Sequence, residues 1–553
     1  MLSAMKATGR FRLRRFSTQI DFATQIPTSA SPNFAQSLGR RARSLIPVPH
    51  RTIAEPKGQD LDFVNVAHSH LIHSDWDKLQ KLSADLTPFR VKHILLKIHK
   101  DHVLSLEFFD WVQLQRPNIH TLETYSIILH ALAKNRKFKS AESIVRSVLI
   151  PGSKDIDIPS KLFDALLYSY RLCDSLPCVF DAVFKTFAHL KKLRNATDTF
   201  CRMRDYGFLP NIKSCNAFLS SSLDMGRADI VLSFYREMQR SRISPNEYTL
   251  NMVISALCKA GKLDKAVELL EQMEGMGCSP SVASYNILIS GHCNKRLLSS
   301  AMKLKRVMEE KVLDPDRITF STLINGFCKA GRLSEANKIF TEMKASNIAP
   351  DTVTYNTLIY GFSEAGNSEM GARLFEEMSR YEVKADILTY NALILGYCKE
   401  GKTRKAAYLV KELDKKNLVP NSSTFSALIR GQCVRNNPDR ALLLYRSMII
   451  SGCHPNSETM NLLLGSFCKC KDTDGAVEVL REMMHRSLTP DSGILSELCR
   501  ELCKQGSDQL GLDLFSELEA RCLVPEGFHK SLIFEKLQGA RKMAEDELRC
   551  SVV

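Results

Sequence analysis

Apolar residues recur along most of this chain with the spacing of amphipathic helices. In residues 317–351, one apolar stripe runs over positions 320–328 in steps of three and four residues, and a second runs over positions 333–343. Gly331 lies between the two stripes, where glycine can adopt the left-handed conformation that ends a helix. The pattern therefore predicts two helices joined by a tight turn.

This helix pair repeats with a period of 35 residues, which indicates a repeat architecture. Alanine, methionine and cysteine stations keep the same step, and Ala385 replaces proline at one station. Neither helix of a unit can bury its apolar stripe alone, so neighbouring hairpins must stack. The period is marked most clearly by prolines, at Pro210, Pro245, Pro280, Pro315, Pro350, Pro420, Pro455, Pro490 and Pro525.

The repeats predict an all-α fold, a right-handed α-solenoid superhelix of helix-turn-helix hairpins with a 35-residue repeat. We expect ten complete units, and two more divergent ones before them that keep the frame but differ at many stations. The predicted segments are a leader over 1–54, a helical region over 55–86, two divergent repeats over 87–156, an irregular hairpin over 157–176, ten repeats over 177–526, and a half-repeat with a tail over 527–553.

The positive charge of the chain is concentrated at its start. The 553 residues carry a net charge of +15, and residues 1–54 contribute +8 of it through nine basic residues and one acid. This Arg-rich, acid-poor segment predicts a mitochondrial transit peptide, with a chloroplast leader as the alternative. A disordered basic tail that contacts nucleic acid is a further interpretation. Because no apolar run reaches about 18 residues, we expect no membrane insertion.

The candidate reactive residues favour packing over chemistry. Seventeen cysteines indicate a reducing compartment rather than a disulfide framework. They lack the paired C-x-x-C spacing of structural zinc sites, and His68, His70 and His73 have no accompanying cysteine, so a solvated helix face is the preferred interpretation of the three histidines. No arrangement typical of a hydrolase or deaminase occurs, and we expect a non-enzymatic protein without metal or cofactor. Seven cysteines share one station of the apolar stripe: Cys258, Cys293, Cys328, Cys398, Cys433, Cys468 and Cys503.

Residues 396–403 match the phosphate-loop pattern G-x-x-x-x-G-K-[ST] letter for letter. A phosphate loop follows a strand and opens a helix, so that its backbone N–H groups are free to bind an anion. Gly396 instead falls inside a predicted helix, and Gly401 falls at the end of that helix. We interpret the match as coincidental.

Two stretches carry a specific family resemblance. Residues 352–359, Thr-Val-Thr-Tyr-Asn-Thr-Leu-Ile, and residues 387–394, Ile-Leu-Thr-Tyr-Asn-Ala-Leu-Ile, resemble pentatricopeptide repeats (PPR) of the P class. The resemblance is strong over 177–526 and weaker over 87–156. It implies a plant organellar protein that binds single-stranded RNA, one base per repeat, and takes part in transcript stabilisation, processing, splicing or translation. It further implies a monomer, with other RNA-processing proteins as possible partners.

A protein-binding scaffold built from tetratricopeptide (TPR-like) repeats is the competing interpretation. Its 34-residue period would slip by ten positions over ten units, and no slip occurs. That family's repeat also opens with a tryptophan, whereas Trp76 and Trp111 both lie outside the regular array. The repeat length favours RNA.

In the pentatricopeptide family, the fifth residue of each repeat reads the base together with the last residue. The resemblance assigns the fifth position to Asn216, Asn251, Asn286, Ser321, Asn356, Asn391, Ser426, Asn461 and Ser496. The last position falls to Asn246, Ser281, Asp316, Asp351, Asp386, Asn421, Asn456, Asp491 and Glu526. Lysines at the end of the first helix are assigned to the RNA backbone, namely Lys259, Lys329, Lys399, Lys469 and Lys504.

Hydrogen-bonding chemistry makes this assignment intelligible. An Asp carboxylate accepts the ring N–H of uracil or guanine, and an Asn amide donates to the bare ring nitrogen of cytosine or adenine. Serine at the fifth position leaves room for a purine. The array then predicts the element 5′-Y-C-U-G-U-Y-A-U-N-3′. Two alternatives stay open: Asp, Asn and Ser at the last position are also the preferred helix N-caps, and a lysine near a helix end is also favoured by the helix dipole.

Overall fold

The computed structural model describes residues 54–149 and 158–525, and within these ranges all regular structure is helical. The predicted leader up to residue 53, the tail over 527–553 and Glu526 lie outside the described residues. No helix in the described ranges is long and apolar enough to cross a bilayer.

The chain packs as two units that divide between Gly291 and His292. In the first unit, two short 3₁₀ turns, Ser83–Asp85 and Glu274–Met276, accompany the α-helices. These helices are Gln59–Ile72, Trp76–Lys81, Pro88–Ile98, His102–Gln115, Leu122–Lys134, Phe138–Val148, Ile158–Ser169, Cys178–His189, Leu193–Asp205, Ile212–Asp224, Ala228–Arg240, Glu247–Lys259 and Leu263–Gln272.

The helix Val282–Asn294 spans the point where the two units divide. From residue 212 to residue 492, the first helix of each hairpin begins every 35 residues, as the sequence predicts. The helices of the second unit are Leu298–Glu310, Arg317–Lys329, Leu333–Ala345, Thr352–Glu364, Ser368–Arg380, Ile387–Lys399, Thr403–Lys415, Ser422–Val434, Pro438–Ile450, Ser457–Lys469, Thr473–His485, Ser492–Lys504 and Asp508–Ala520. The all-helical fold of helix-turn-helix hairpins is confirmed.

From residue 212 onwards, each turn inside a hairpin contains one residue in the left-handed region. Gly331 ends its first helix with φ 74°, and Gly401 does the same with φ 70°. The same station can hold another residue, since Asn436 has φ 52°. The turn after the second helix uses the same conformation, and there Val312 is held at φ 58° although a β-branched side chain disfavours it.

Small and flexible side chains fill the space between the helices of neighbouring hairpins. The alanine and methionine stations are fully buried, which agrees with close helix approach and with gap filling by methionine. Their members are all at 0% exposure: Ala266, Ala301, Ala336, Ala406, Ala441 and Ala476, with Met203, Met238, Met273, Met308, Met343, Met378, Met448 and Met483.

The cysteine station packs against glycine in the next first helix. A Cβ atom added to Gly431 would lie 2.7 Å from Cys398 Sγ, and one added to Gly326 would lie 2.6 Å from Cys293 Sγ. Burial raises the pKa of the Cys398 thiol to about 12. Cys293 and Cys398 therefore pack as small apolar groups, as predicted for this station.

Before residue 177 the hairpins become irregular. Helices Leu122–Lys134 and Phe138–Val148 form one pair, and the next segment contains a single helix, Ile158–Ser169, in its described residues. The His130 ring holds this helix through a hydrogen bond to Ser169 Oγ at 3.0 Å and the segment after it through one to Ser175 Oγ at 2.6 Å. Burial lowers the pKa of His130 to about 3, so its ring is neutral.

Candidate nucleic-acid interface

The last residues of the repeats lie directly before a first helix and act as its N-cap. The Asp386 carboxylate accepts the Thr389 N–H at 2.9 Å, and Asn421 Oδ1 accepts the Thr424 N–H at 3.2 Å. Capping therefore accounts for part of the Asp and Asn pattern at this position. The residues with this role are Asn246, Asp316, Asp351, Asp386, Asn421, Asn456 and Asp491.

The fifth residue of a repeat contacts the last residue of the same repeat. Asn356 Nδ2 donates to Asp386 Oδ1 at 2.9 Å, and Asn391 Nδ2 donates to Asn421 Oδ1 at 3.0 Å. Asn216 Nδ2 donates to its own partner, Asn246 Oδ1, at 3.1 Å. The structure therefore brings these predicted pairs together.

A buried threonine completes each of these contacts. Thr389 Oγ1 donates to Asn356 Oδ1 at 2.6 Å, and Thr424 Oγ1 donates to Asn391 Oδ1 at 2.6 Å. Each threonine is the third residue of the following repeat and is at 0% exposure. We call this group of three an amide clamp: the fifth-position Asn, the last residue of its repeat, and the third residue of the next repeat. Thr249 completes a third clamp on Asn216 at 2.7 Å.

The clamp fixes which way the asparagine amide points. A carboxylate only accepts hydrogen bonds, so Asn356 must turn its Nδ2 toward Asp386 and its Oδ1 toward Thr389. One of the two Nδ2 hydrogens is used, and the other has no hydrogen-bond partner among the described residues. Burial opposes ionisation of Asp386, but hydrogen bonds from Thr389 and Asn356 hold the pKa of its carboxyl below the usual range. The pair thus presents a fixed N–H donor beside an anionic acceptor.

At three stations the fifth position holds serine, and its hydroxyl makes other contacts than the clamp asparagine does. Ser321 Oγ donates to the Ile318 carbonyl at 3.2 Å, and Ser496 Oγ donates to the Ser492 carbonyl at 2.7 Å, so both turn into their own helix. Ser426 Oγ accepts from Thr459 Oγ1 at 2.8 Å. The shorter side chain leaves more room at these stations.

The remaining predicted residues lie at the equivalent positions of their repeats. Asn461 Oδ1 accepts the backbone N–H of Asp491 at 2.9 Å. Asn286 is buried in the helix Val282–Asn294, and Asp316 caps the next first helix through the Thr319 N–H at 2.8 Å. Glu526 lies outside the described residues.

Exposed apolar residues next to the fifth position are a feature that the sequence reasoning missed. Three positions before a fifth residue, Val353 is 65% exposed and Leu388 is 58% exposed. Residues three apart share one face of a helix, so each apolar side chain flanks a fifth-position residue. The sequence feature that could have revealed them is that these apolar residues share one station of the 35-residue repeat, on a helix face that the core does not cover. The exposed members are Tyr248, Ile318, Val353 and Leu388.

Before residue 212, the fifth position is closed. Val91 is apolar and fully buried, and Ser126 accepts a hydrogen bond from Ser169 at 2.9 Å. Asp181 accepts the Asn211 N–H at 2.9 Å, the Asn211 side-chain amide, and the Ser214 hydroxyl at 3.0 Å. These contacts lie within the protein and leave no fixed donor at the surface.

The lysine series divides between structural and unassigned members. Lys259 Nζ donates to the Leu223 carbonyl at 3.3 Å, and Lys399 Nζ donates to the Glu364 carbonyl at 3.0 Å, each at the end of the preceding first helix. Helix capping of this kind supports the dipole interpretation for these two. Lys504 pairs with Glu501 at 2.6 Å. Lys329 and Lys469 are exposed at the same station.

The phosphate-loop match lies in an ordinary hairpin turn. Gly396 lies inside the helix Ile387–Lys399, and the Lys402 N–H donates to the Tyr397 carbonyl at 2.8 Å. Glu400 pairs with Lys402 and accepts the Ser368 N–H at 2.6 Å. Because the turn uses its backbone donors and lies between two helices, it lacks the geometry of a phosphate loop.

Comparison with family models places the repeats in a known class. Models described as the PPR repeat family match consecutive overlapping stretches from 210 to 434, and models described as the PPR repeat match 451–484, 123–149 and 423–453. The chain belongs to the pentatricopeptide repeat family.

Two curated relatives from Arabidopsis thaliana carry the same repeat. Pentatricopeptide repeat-containing protein At4g26680, mitochondrial, is 62% identical over 232 residues, which cover 42% of this chain and 44% of the relative. Pentatricopeptide repeat-containing protein At1g05670, mitochondrial, is 32% identical over 226 residues, which cover 38% and 30%. The matched region thus spans less than half the length of these relatives.

Solved structures with similar folds include the crystal structure of the pentatricopeptide repeat protein PPR10 from maize. It covers 99% of this chain and 97% of that chain at 15% identity, with a TM-score of 0.45. The crystal structure of PPR10 in complex with an 18-nt psaJ RNA element covers 88% of each chain at 17% identity, with a TM-score of 0.38.

Proposed function

We propose that this protein binds single-stranded RNA in a sequence-specific manner, with one base per repeat over the units from 212 to 526. It acts without catalysis of its own, as a monomer, in the stabilisation, processing, splicing or translation of organellar transcripts. The family to which the chain belongs supports an RNA ligand, as its resemblance implies.

The amide clamp is the observation that carries the proposal. Asn356 and Asn391 keep one N–H donor in a fixed direction, and the neighbouring acceptor differs between Asp386 and Asn421. A fixed donor beside a variable polar group is what base discrimination needs, because pyrimidines differ at the ring nitrogen and at its neighbouring carbonyl or amine. The same pair needs only one of its members for capping.

The exposed apolar residues supply the other half of a base pocket. Val353 and Leu388 lie three residues before Asn356 and Asn391 on the same helix face. An unpaired base gains from contact between its flat face and an apolar side chain while its edge is hydrogen-bonded. A double-stranded partner would hide the base edges, so this arrangement favours a single strand.

The composition of the leader and the names of two relatives support a mitochondrial location. Residues 1–54 are Arg-rich and hold a single acid. At4g26680 and At1g05670 are both named as mitochondrial proteins. The chloroplast is the alternative, and localisation of a fluorescent fusion of the full chain distinguishes the two.

Selection from a random RNA pool tests the proposed function. The full chain should enrich a nine-nucleotide element resembling 5′-Y-C-U-G-U-Y-A-U-N-3′, and the affinity for that element should fall steeply with salt because phosphate contacts release counterions. A protein-binding scaffold would enrich no sequence and would show no salt-dependent affinity for any pool. The latter result would overturn the proposal.

A further inference from the structure

One fifth-position asparagine has no clamp. Asn251 is 9% exposed, and its Oδ1 has no hydrogen-bond partner among the described residues. Asn216 and Asn391 are equally buried, at 7% and 8% exposure, and both have a threonine donor on that same atom. Burial alone therefore does not explain why Asn251 is unpartnered.

The cause lies in two serines at stations that hold longer side chains elsewhere. Ser284 occupies the third position of the next repeat, where Thr249, Thr389 and Thr424 stand in the clamps. Its hydroxyl accepts the Ser281 N–H at 3.2 Å and lies 3.4 Å from the Ser281 hydroxyl. The Ser281 side chain carries only a hydroxyl, and no hydrogen bond joins it to the Asn251 amide, so neither end of that amide is fixed.

The missing contacts change what Asn251 can offer a base. In a clamp the amide oxygen accepts a hydrogen bond from threonine, so the group left for a base is the amide N–H donor. Without the clamp, the terminal O and N of an amide can exchange places by rotation at little steric cost, and the side chain can present either a donor or an acceptor. Rotation can also relieve the burial of an unsatisfied carbonyl.

We propose that the third residue of the following repeat is a positioning residue for base selection, and that Ser284 leaves Asn251 unoriented. The nucleotide facing Asn251 is then selected more weakly than the one facing Asn391, four nucleotides further along the element. This inference rests on the proposed function and refines it, since a rule based on fifth and last residues alone assigns no role to residue 284.

Two reciprocal variants of the full chain test the proposal in selection from a random RNA pool. Ser284→Thr leaves Asn251 and Ser281 unchanged, and should raise the ratio of the most to the least frequent base at its nucleotide about fivefold, the effect of one oriented hydrogen bond. Thr424→Val preserves shape but removes the hydroxyl, and should lower the ratio at the Asn391 nucleotide by a similar factor.

The outcomes separate this proposal from the proposed function. If the wild-type chain selects no base at the nucleotides facing Asn356 and Asn391, the proposed function itself fails. If it selects there, and Thr424→Val leaves the Asn391 nucleotide unchanged, the positioning role is overturned. Should Ser284→Thr fold poorly by circular dichroism, Thr424→Val still decides the question.

Discussion

The fifth position behaves differently in the first three hairpins and in the units from 212 onwards. Before 212, the side chains of Ser126 and Asp181 form hydrogen bonds inside the protein, and the Val91 side chain has no hydrogen-bonding group. After 212, Asn356 and Asn391 are held by two contacts each and retain one free N–H. The same station can therefore be closed by internal hydrogen bonds or keep one unused donor.

The difference shows that an Asp/Asn pair alone does not define the second region, and that unused hydrogen-bonding capacity at the fifth position does. Asp181 and Asn211 are the same residue types as Asp386 and Asn356, in reversed order. In the reversed order, the carboxylate sits on the more buried side and burial raises its pKa. We therefore expect the proposed RNA-reading surface to begin at residue 212.

The largest expected effect on stability comes from a substitution at His130, in the region before residue 212. His130→Ala removes three hydrogen bonds from a fully buried group and leaves a cavity, and should lower the free energy of unfolding of this region by about 3 kcal/mol. Hydrogen exchange of the helix Ile158–Ser169 measures it. The exposed His73→Ala is the control, with an effect near zero. Equal protection in both variants would contradict the role given to His130.

The next largest effect on stability is expected where the first helices of consecutive regular repeats approach each other closely. Gly431→Ala places a Cβ 2.7 Å from Cys398 Sγ, 2.8 Å from its Cβ and 3.2 Å from its backbone Cα, so the helices must separate. We expect a loss of about 2 kcal/mol in chemical denaturation.

Gly465→Ala is the matched control for that substitution. Its added Cβ would lie 3.5 Å from Ile494, which is ordinary contact, and alanine favours the helix. Gly465→Ala should be neutral or slightly stabilising. Similar losses for the two glycines would contradict a tight contact at the cysteine station.

Glu400 accepts hydrogen bonds from Lys402 and from Ser368 of the preceding repeat, and we call this contact the staple. Its expected effect on stability is smaller and depends on pH. Burial alone would raise the pKa of the Glu400 carboxyl, but hydrogen bonds from Lys402 and Ser368 lower this pKa from 4.5 to about 2. A lowered folded-state pKa stabilises the fold above pH 4.5, and this stabilisation is lost as pH falls toward 2. Glu400→Gln should cost about 1 kcal/mol at pH 7. A difference in unfolding free energy that does not shrink between pH 5 and pH 3 would argue against the staple.

The smallest effect concerns a strained turn. Val312 is held at φ 58°, and Asn347, 35 residues later, adopts φ 57°. Val312→Gly should raise the free energy of unfolding by about 0.5 kcal/mol, because relief of strain exceeds the entropy cost of glycine. The reciprocal Asn347→Val should lower it by a comparable amount. Thermal melts with the opposite sign would show that the turn is not strained.

The sequence predicts the fold well because the fold depends on local, repeated signals. Prolines, glycine turns and the buried alanine and methionine stations each recur in register, so every hairpin repeats the same prediction. Gly401 and the glycines at the same station of other repeats end their helices as expected, and the cysteine station packs as expected. The single helix Ile158–Ser169 was harder to predict, because its anchor His130 lies in a different hairpin.

The site was only partly predictable, because its geometry joins positions that are distant in sequence. Thr389 lies 33 residues from Asn356, and only the stacked hairpins bring its hydroxyl to the amide oxygen. For this reason asparagine at the fifth position has a structural role that helix propensity does not reveal. The apolar Val353 station was visible in the sequence, but only its exposure distinguishes it from core.

The central claim is that the last residue of a clamp chooses between pyrimidines, and one substitution tests it most directly. Asp386→Asn converts the pair Asn356/Asp386 into a copy of Asn391/Asn421, which keeps both the cap and the clamp. In selection from a random RNA pool, the nucleotide facing Asn356 should shift from uracil toward cytosine, and no other nucleotide should change. An unchanged preference at that nucleotide, with folding intact, would contradict the account.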